Sequence, residues 1–68
     1  MSKEILSRLL LRPAEAAEVL GVSRSRAYEL IAAGIIPAIR LDNGRSIRVP
    51  VQALRDWVAK QVEIQEGR

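Results

Sequence analysis

Two missing residue types set the chemistry open to this sequence. With neither histidine nor cysteine, most nucleophile–base and zinc chemistry is excluded. So are the disulfide and metal staples that small scaffolds commonly use. Glu15 and Glu18 are the nearest approach to a carboxylate pair. They lie in the opening turns of a predicted helix, where the dipole favours anions, and they read as a solvated face. No catalytic residue, metal or cofactor is expected, and the chain reads as a non-enzyme. What remains is arginine. The segment 23–49 holds Arg24, Arg26, Arg40, Arg45 and Arg48 against only Glu29 and Asp42, whereas the remainder balances six basic residues against six acidic ones. The whole net charge of +3 therefore sits in one central stretch, an electrostatic footprint for a polyanion and for nucleic acid first. A solvated arginine-rich face would give the same net charge.

The elements that must position these arginines follow from periodicity. Residues 1–11 carry Ile5, Leu6, Leu9 and Leu10 at helical spacing before Leu11-Arg12-Pro13, a pattern open to a short helix or an extended lead-in. Pro13 suits a first helical position, and the segment it opens reads as a two-turn helix ending at Gly21. Ser23 is a good N-cap for a second helix over 24–33, with Ala27, Leu30 and Ile31 on one face and Gly34 closing it. Only Gly21-Val22-Ser23 separates the two helices, which reads as a helix-turn-helix. The period then shifts to two. Ile35, Pro37, Ile39 and Leu41 alternate with Ile36, Ala38, Arg40 and Asp42, Asp42-Asn43-Gly44-Arg45 supplies a turn, and the return strand is 46–49 with Ile47 and Val49 inward. Pro37 near the strand start marks an edge-type hairpin. Pro50 opens a last helix over 51–66, whose apolar stripe comprises Val51, Leu54, Trp57, Val58, Val62 and Ile64. Trp57 is expected to anchor the core.

A chain of 68 residues allows one domain with a small core, burying about 60% of the surface its unfolded form exposes. The expected division is a lead-in over 1–9, a domain over 10–64 and a tail over 65–68. The longest uncharged run, Leu30 to Ile39, is far short of a membrane span, and Glu4 and Arg8 interrupt any signal-peptide core. No membrane or small-molecule partner is expected, and the cytoplasm is the default location.

Ala17, Leu20-Gly21-Val22, Ala27 and Leu30 resemble the helix-turn-helix pattern in their order. More narrowly, Leu10-Leu11-Arg12-Pro13-Ala14-Glu15-Ala16-Ala17 and Leu20-Gly21-Val22-Ser23-Arg24-Ser25 resemble the excisionase-type, MerR-like winged helix-turn-helix proteins. So do Tyr28 to Pro37, Arg45-Ser46-Ile47-Arg48-Val49-Pro50 and Leu54-Arg55-Asp56-Trp57. The resemblance implies a mainly α fold with a small β-hairpin: a helix-turn-helix, a two-stranded antiparallel wing and a C-terminal helix. It also implies a DNA-binding excisionase, or recombination directionality factor, of phages and mobile elements. Such a factor binds arrays of sites, bends the DNA and turns an integrase toward excision. Double-stranded DNA, further copies of the chain on adjacent sites and an integrase are the partners implied. Two positions depart from the pattern. Arg12 stands where Thr or Ser commonly caps the first helix, and Glu29 where a basic residue commonly follows Tyr28.

Within that frame, Ser25, Arg26, Tyr28, Glu29 and Ala32 point away from the apolar face of the second helix. Arg26 is the first choice for a base contact, because a guanidinium bridges guanine O6 and N7. Arg24 at the helix start suits a phosphate. Ser23 is chiefly a cap, Ser25 a contact or plain helix surface, and Tyr28 either a phosphate donor or packing beneath the wing. Glu29 either pairs with Arg26 or Ser25 on its own helix or accepts from a cytosine amine, and the pair is preferred. Asn43 and Gly44 shape the wing tip, Arg45 beyond them suits a minor groove, and Arg40 and Arg48 are expected on the outward face, flanking the backbone. Four or five arginines on phosphate imply a salt slope near −4. The rival readings are a small winged-helix transcriptional regulator and a basic protein-interaction module.

Overall fold

The computed structural model describes residues 8–66, and a lead-in over 1–9 therefore falls largely outside the described residues. Their order is strand β1 (Leu10–Leu11), helix α1 (Pro13–Leu20), helix α2 (Arg24–Ala32), strand β2 (Ile39–Leu41), strand β3 (Ser46–Pro50) and helix α3 (Val51–Glu66). This is a winged helix-turn-helix: three helices and a small antiparallel sheet among the described residues.

Local chemistry accounts for both ends of α1 and the start of α2. Arg12 has no side-chain acceptor with which to cap α1. The cap is instead made backward: Glu15 accepts from the Arg12 backbone N–H at 2.9 Å. α1 ends at Gly21, whose φ of +74° is the left-handed conformation that glycine takes without strain. Ser23 opens α2 by accepting from the Arg26 N–H at 3.1 Å, satisfying one of the donors left free at a helix start.

The helices meet through small side chains. Ala16 and Ala17 on α1 and Ala27 on α2 are all buried, and the Val22 N–H donates to the Ala17 carbonyl across the turn at 3.0 Å. Leu11, Ala16, Ile31, Ile36, Val49 and Leu54 form one core cluster, with Val19, Leu20, Leu30, Ile47, Val51 and Trp57 packed partly buried against it. Trp57 thus borders the core and does not fill its centre.

The sheet departs from expectation in two ways. It has three strands, ordered β1-β3-β2, and not the two of a simple wing. Leu10 pairs with Pro50 and Leu11 with Val49, so the open question about residues 10 and 11 resolves to an extended strand. Leu11 is 1% exposed there; two residues carry too little periodicity to announce a strand that a partner's edge creates. The second departure concerns the wing's first strand, which is only three residues long. Ile35 to Ala38 form an irregular link, and within it Ile36 is buried while Ile35 is half exposed. The apolar alternation is present in the sequence, yet its members Ile35, Ile39 and Leu41 all retain substantial exposure.

Candidate DNA-binding surface

The first turn of α2 presents its charge outward because the opposite face is spent on packing. Ala27 and Ile31 are buried and Leu30 half-buried, whereas Arg24, Ser25, Arg26, Tyr28, Glu29 and Ala32 are exposed. Ser23 is occupied as the cap. Arg26 Nη1 donates to Glu29 Oε1 at 3.2 Å, one helical turn on, so the preferred reading of Glu29 as an intrahelical partner holds.

β2 and β3 are joined by a loop whose shape follows from its residue types. Leu41 pairs with Ser46, leaving Asp42, Asn43, Gly44 and Arg45 to turn the chain. Asp42 and Asn43 have φ of +51° and +57°, a region that Asp and Asn tolerate better than other side chains because they hydrogen-bond locally. Ser46 Oγ supports the turn by donating to Asp42 Oδ2 at 3.1 Å, and the Arg45 N–H donates to the Asp42 carbonyl at 3.1 Å. Asn43, Gly44 and Arg45 are all exposed at its tip.

The register corrects the expectation for Arg40 and Arg48. Arg40 pairs with Ile47 and Arg48 with Ile39, and directly opposed residues share a face. Arg40 therefore projects on the side of Ile47 and Arg48 on the side of Ile39, so the two arginines lie on opposite faces of the ribbon and not together on one. The cause is the loop, which sets even-numbered residues opposite odd-numbered ones. Arg40 borders a hollow of about 240 Å³ formed with Ile31, Gly34, Ile36, Pro37, Ala38 and Ile47. That hollow is where the end of α2 meets the wing. Arg48 is half-buried and donates from Nη1 to the Ile47 carbonyl at 2.8 Å, leaving its other nitrogens uncommitted by the described contacts.

Two features had no clear signal in the sequence. Arg8 pairs with Glu15, and Glu15 carries a lowered pKa: the Arg12 backbone hydrogen bond is the main cause, against a burial penalty, with the Arg8 and Arg12 charges adding to it. An open apolar groove of about 490 Å³ runs between Leu11, Val19 and Leu20 on one side and Val51, Leu54, Val58 and Ala59 on the other. It shares no residue with α2 or the wing tip. Among the described residues no group of acidic side chains could hold a metal ion, and no helix is long and apolar enough to cross a membrane.

A helix-turn-helix whose second helix exposes its basic first turn, followed by an arginine-tipped hairpin, defines a DNA-binding domain of the winged class. Comparison with known proteins places it more closely. Residues 10–62 match the family described as "Helix-turn-helix domain", and the chain belongs to that family. A protein of Saccharopolyspora erythraea named "Probable excisionase" is 36% identical to it over 66 residues, a stretch covering 97% of this chain and 65% of that protein. The chain thus spans about two thirds of the length of that relative. No solved structure gives a significant match. The helix-turn-helix resemblance of the sequence is met by the family, and the excisionase-type resemblance by the relative's name.

Proposed function

We propose that this chain is an excisionase: it binds specific DNA sites, bends the DNA and steers the integrase of a phage or mobile element toward excision in the cytoplasm of a bacterial host. The observation that carries the proposal is the exposed basic first turn of α2 beside an arginine-tipped wing, in a chain similar over nearly its whole length to a protein named "Probable excisionase". In this mechanism α2 enters the major groove. Arg26 reads a guanine through O6 and N7, with Ser25 beside it. Arg24, Arg40 and the free nitrogens of Arg48 take phosphates, and the Tyr28 hydroxyl donates to another. Ser23 holds the helix start. Asn43 and Gly44 bring the wing tip close to the backbone, and Arg45 enters the minor groove, where narrow A·T tracts attract arginine. The protein does no chemistry of its own; it supplies shape to the DNA.

A domain of this size offers an interface at the lower end for DNA-binding modules. Specificity therefore comes from several copies on adjacent sites, with the bent array presented to the integrase. The test is selection of fragmented DNA from the source genome by the purified protein, followed by sequencing of what it retains. Closely spaced repeats beside an attachment site are the expected outcome. Enrichment at promoters would replace the excisionase by a small transcriptional regulator, and no enrichment at low salt would leave a basic protein-interaction module.

A further inference from the structure

We propose that Glu29 is a positioning residue that makes Arg26 selective for base sequence; the inference rests on the DNA-binding reading above. Glu29 Oε1 accepts from one terminal nitrogen of Arg26, Nη1, and both side chains are more than half exposed. Pinned at that nitrogen, the guanidinium keeps Nε and Nη2 free, and those two donors lie along one edge of the planar group. An edge with two parallel donors matches the two acceptors of a guanine in the major groove. An arginine left unpaired on an exposed helix face would instead swing to the nearest phosphate, which carries no sequence information.

The carboxylate is unfavourable for plain affinity. α2 has no acidic residue in its first turn, and Glu29 on the next turn puts a negative charge on the helix face that approaches phosphate. Its removal would strengthen attachment to any DNA by about twofold, the effect of one unit charge at roughly 10 Å in water. Glu29 thus trades general affinity for discrimination. An exposed ion pair of this kind is worth at most about a fivefold effect, so the expected gain in discrimination is on the order of two- to fivefold.

Fluorescence anisotropy with the best retained DNA fragment and a scrambled fragment of the same length and base composition separates the possibilities. The proteins are the parent, Glu29→Gln, Glu29→Ala, Arg26→Ala and the double variant of Glu29→Gln with Arg26→Ala, all altered at exposed positions. Glu29→Gln is expected to bind the scrambled fragment more tightly and to lower the ratio of the two affinities two- to fivefold. In the Arg26→Ala background the same change should leave the ratio unaltered. An unchanged ratio both in Glu29→Gln and in Glu29→Ala, which also removes the accepting oxygen, would overturn the proposal. So would an equal loss without Arg26, which would make Glu29 a direct reader of a base. If the parent itself does not discriminate between the fragments, the DNA-reading assignment falls first, and this inference with it.

Discussion

Ile35 and Ile36 are neighbours of identical composition, and the structure gives them opposite fates. Ile36 is 1% exposed within the core cluster, and Ile35 is 50% exposed. Truncating a buried isoleucine to alanine removes its transfer free energy and leaves a cavity, a loss of about 2–5 kcal/mol. A domain of this length has a total stability of roughly 3–10 kcal/mol, so Ile36→Ala consumes a large part of it. Ile35→Ala, at an exposed site, should stay within about 0.5 kcal/mol. Trp57, the only tryptophan, is packed partly buried against the core and reports unfolding by fluorescence. With a urea dependence of about 1 kcal/mol per molar for a small domain, Ile36→Ala should lower the midpoint by about 2–5 M or unfold the chain outright. Ile35→Ala should shift it by less than about 0.5 M. Equal shifts in the two variants would refute the assignment of Ile36 to the core and Ile35 to the surface.

The remaining expectations concern helix ends. Ser23→Ala removes the cap of α2 and should cost about 1 kcal/mol, read as a lowered urea midpoint; no change would mean that water caps the helix equally well. Gly21→Ala meets no atom within 4 Å, but it would hold alanine at a φ of +74°, so a loss of about 1–2 kcal/mol should come from backbone conformation alone. Glu15 is held below the usual glutamate pKa of 4.5 in the folded chain, so the stability it adds is full above that pH and is lost as the pH falls through the lower folded value. Urea unfolding of the parent and Glu15→Gln should therefore differ at neutral pH and converge in acid, whereas a constant difference would show that its charge contributes nothing.

Much of this fold is legible in the sequence because its signals are local. Pro13, Gly21, Ser23 and Gly34 mark the ends of two helices through backbone chemistry that each residue carries with it, and the Asn43-Gly44 turn does the same for the wing. The parts not legible depend on partners distant in the chain. Leu10 and Leu11 become a strand only because β3 offers an open edge, and a two-residue segment has no period of its own. The alternation after Gly34 marks extended chain but leaves open which of Ile35 and Ile36 is buried, since packing under the wing decides that. At the candidate surface, the outward face of α2 follows from the spacing of Ala27, Leu30 and Ile31. The opposite faces of Arg40 and Arg48 do not follow, because their orientation is set by a pairing register that depends on the loop connecting the strands.

The most direct test of the central claim is the affinity for the retained DNA fragment measured against salt concentration. Arg24, Arg40 and Arg48 on phosphates, with Arg45 neutralising a fourth from within the minor groove it enters, predict a slope of about −3.6 in log affinity against log salt, close to 150-fold between 50 and 200 mM. Replacing Arg45 by alanine should flatten that slope by about 0.9, and the further change Arg26→Ala should remove the preference for the fragment over scrambled DNA. A slope near zero, or a double variant indistinguishable from the parent, would contradict the assignment of α2 and the wing as the DNA-binding surface.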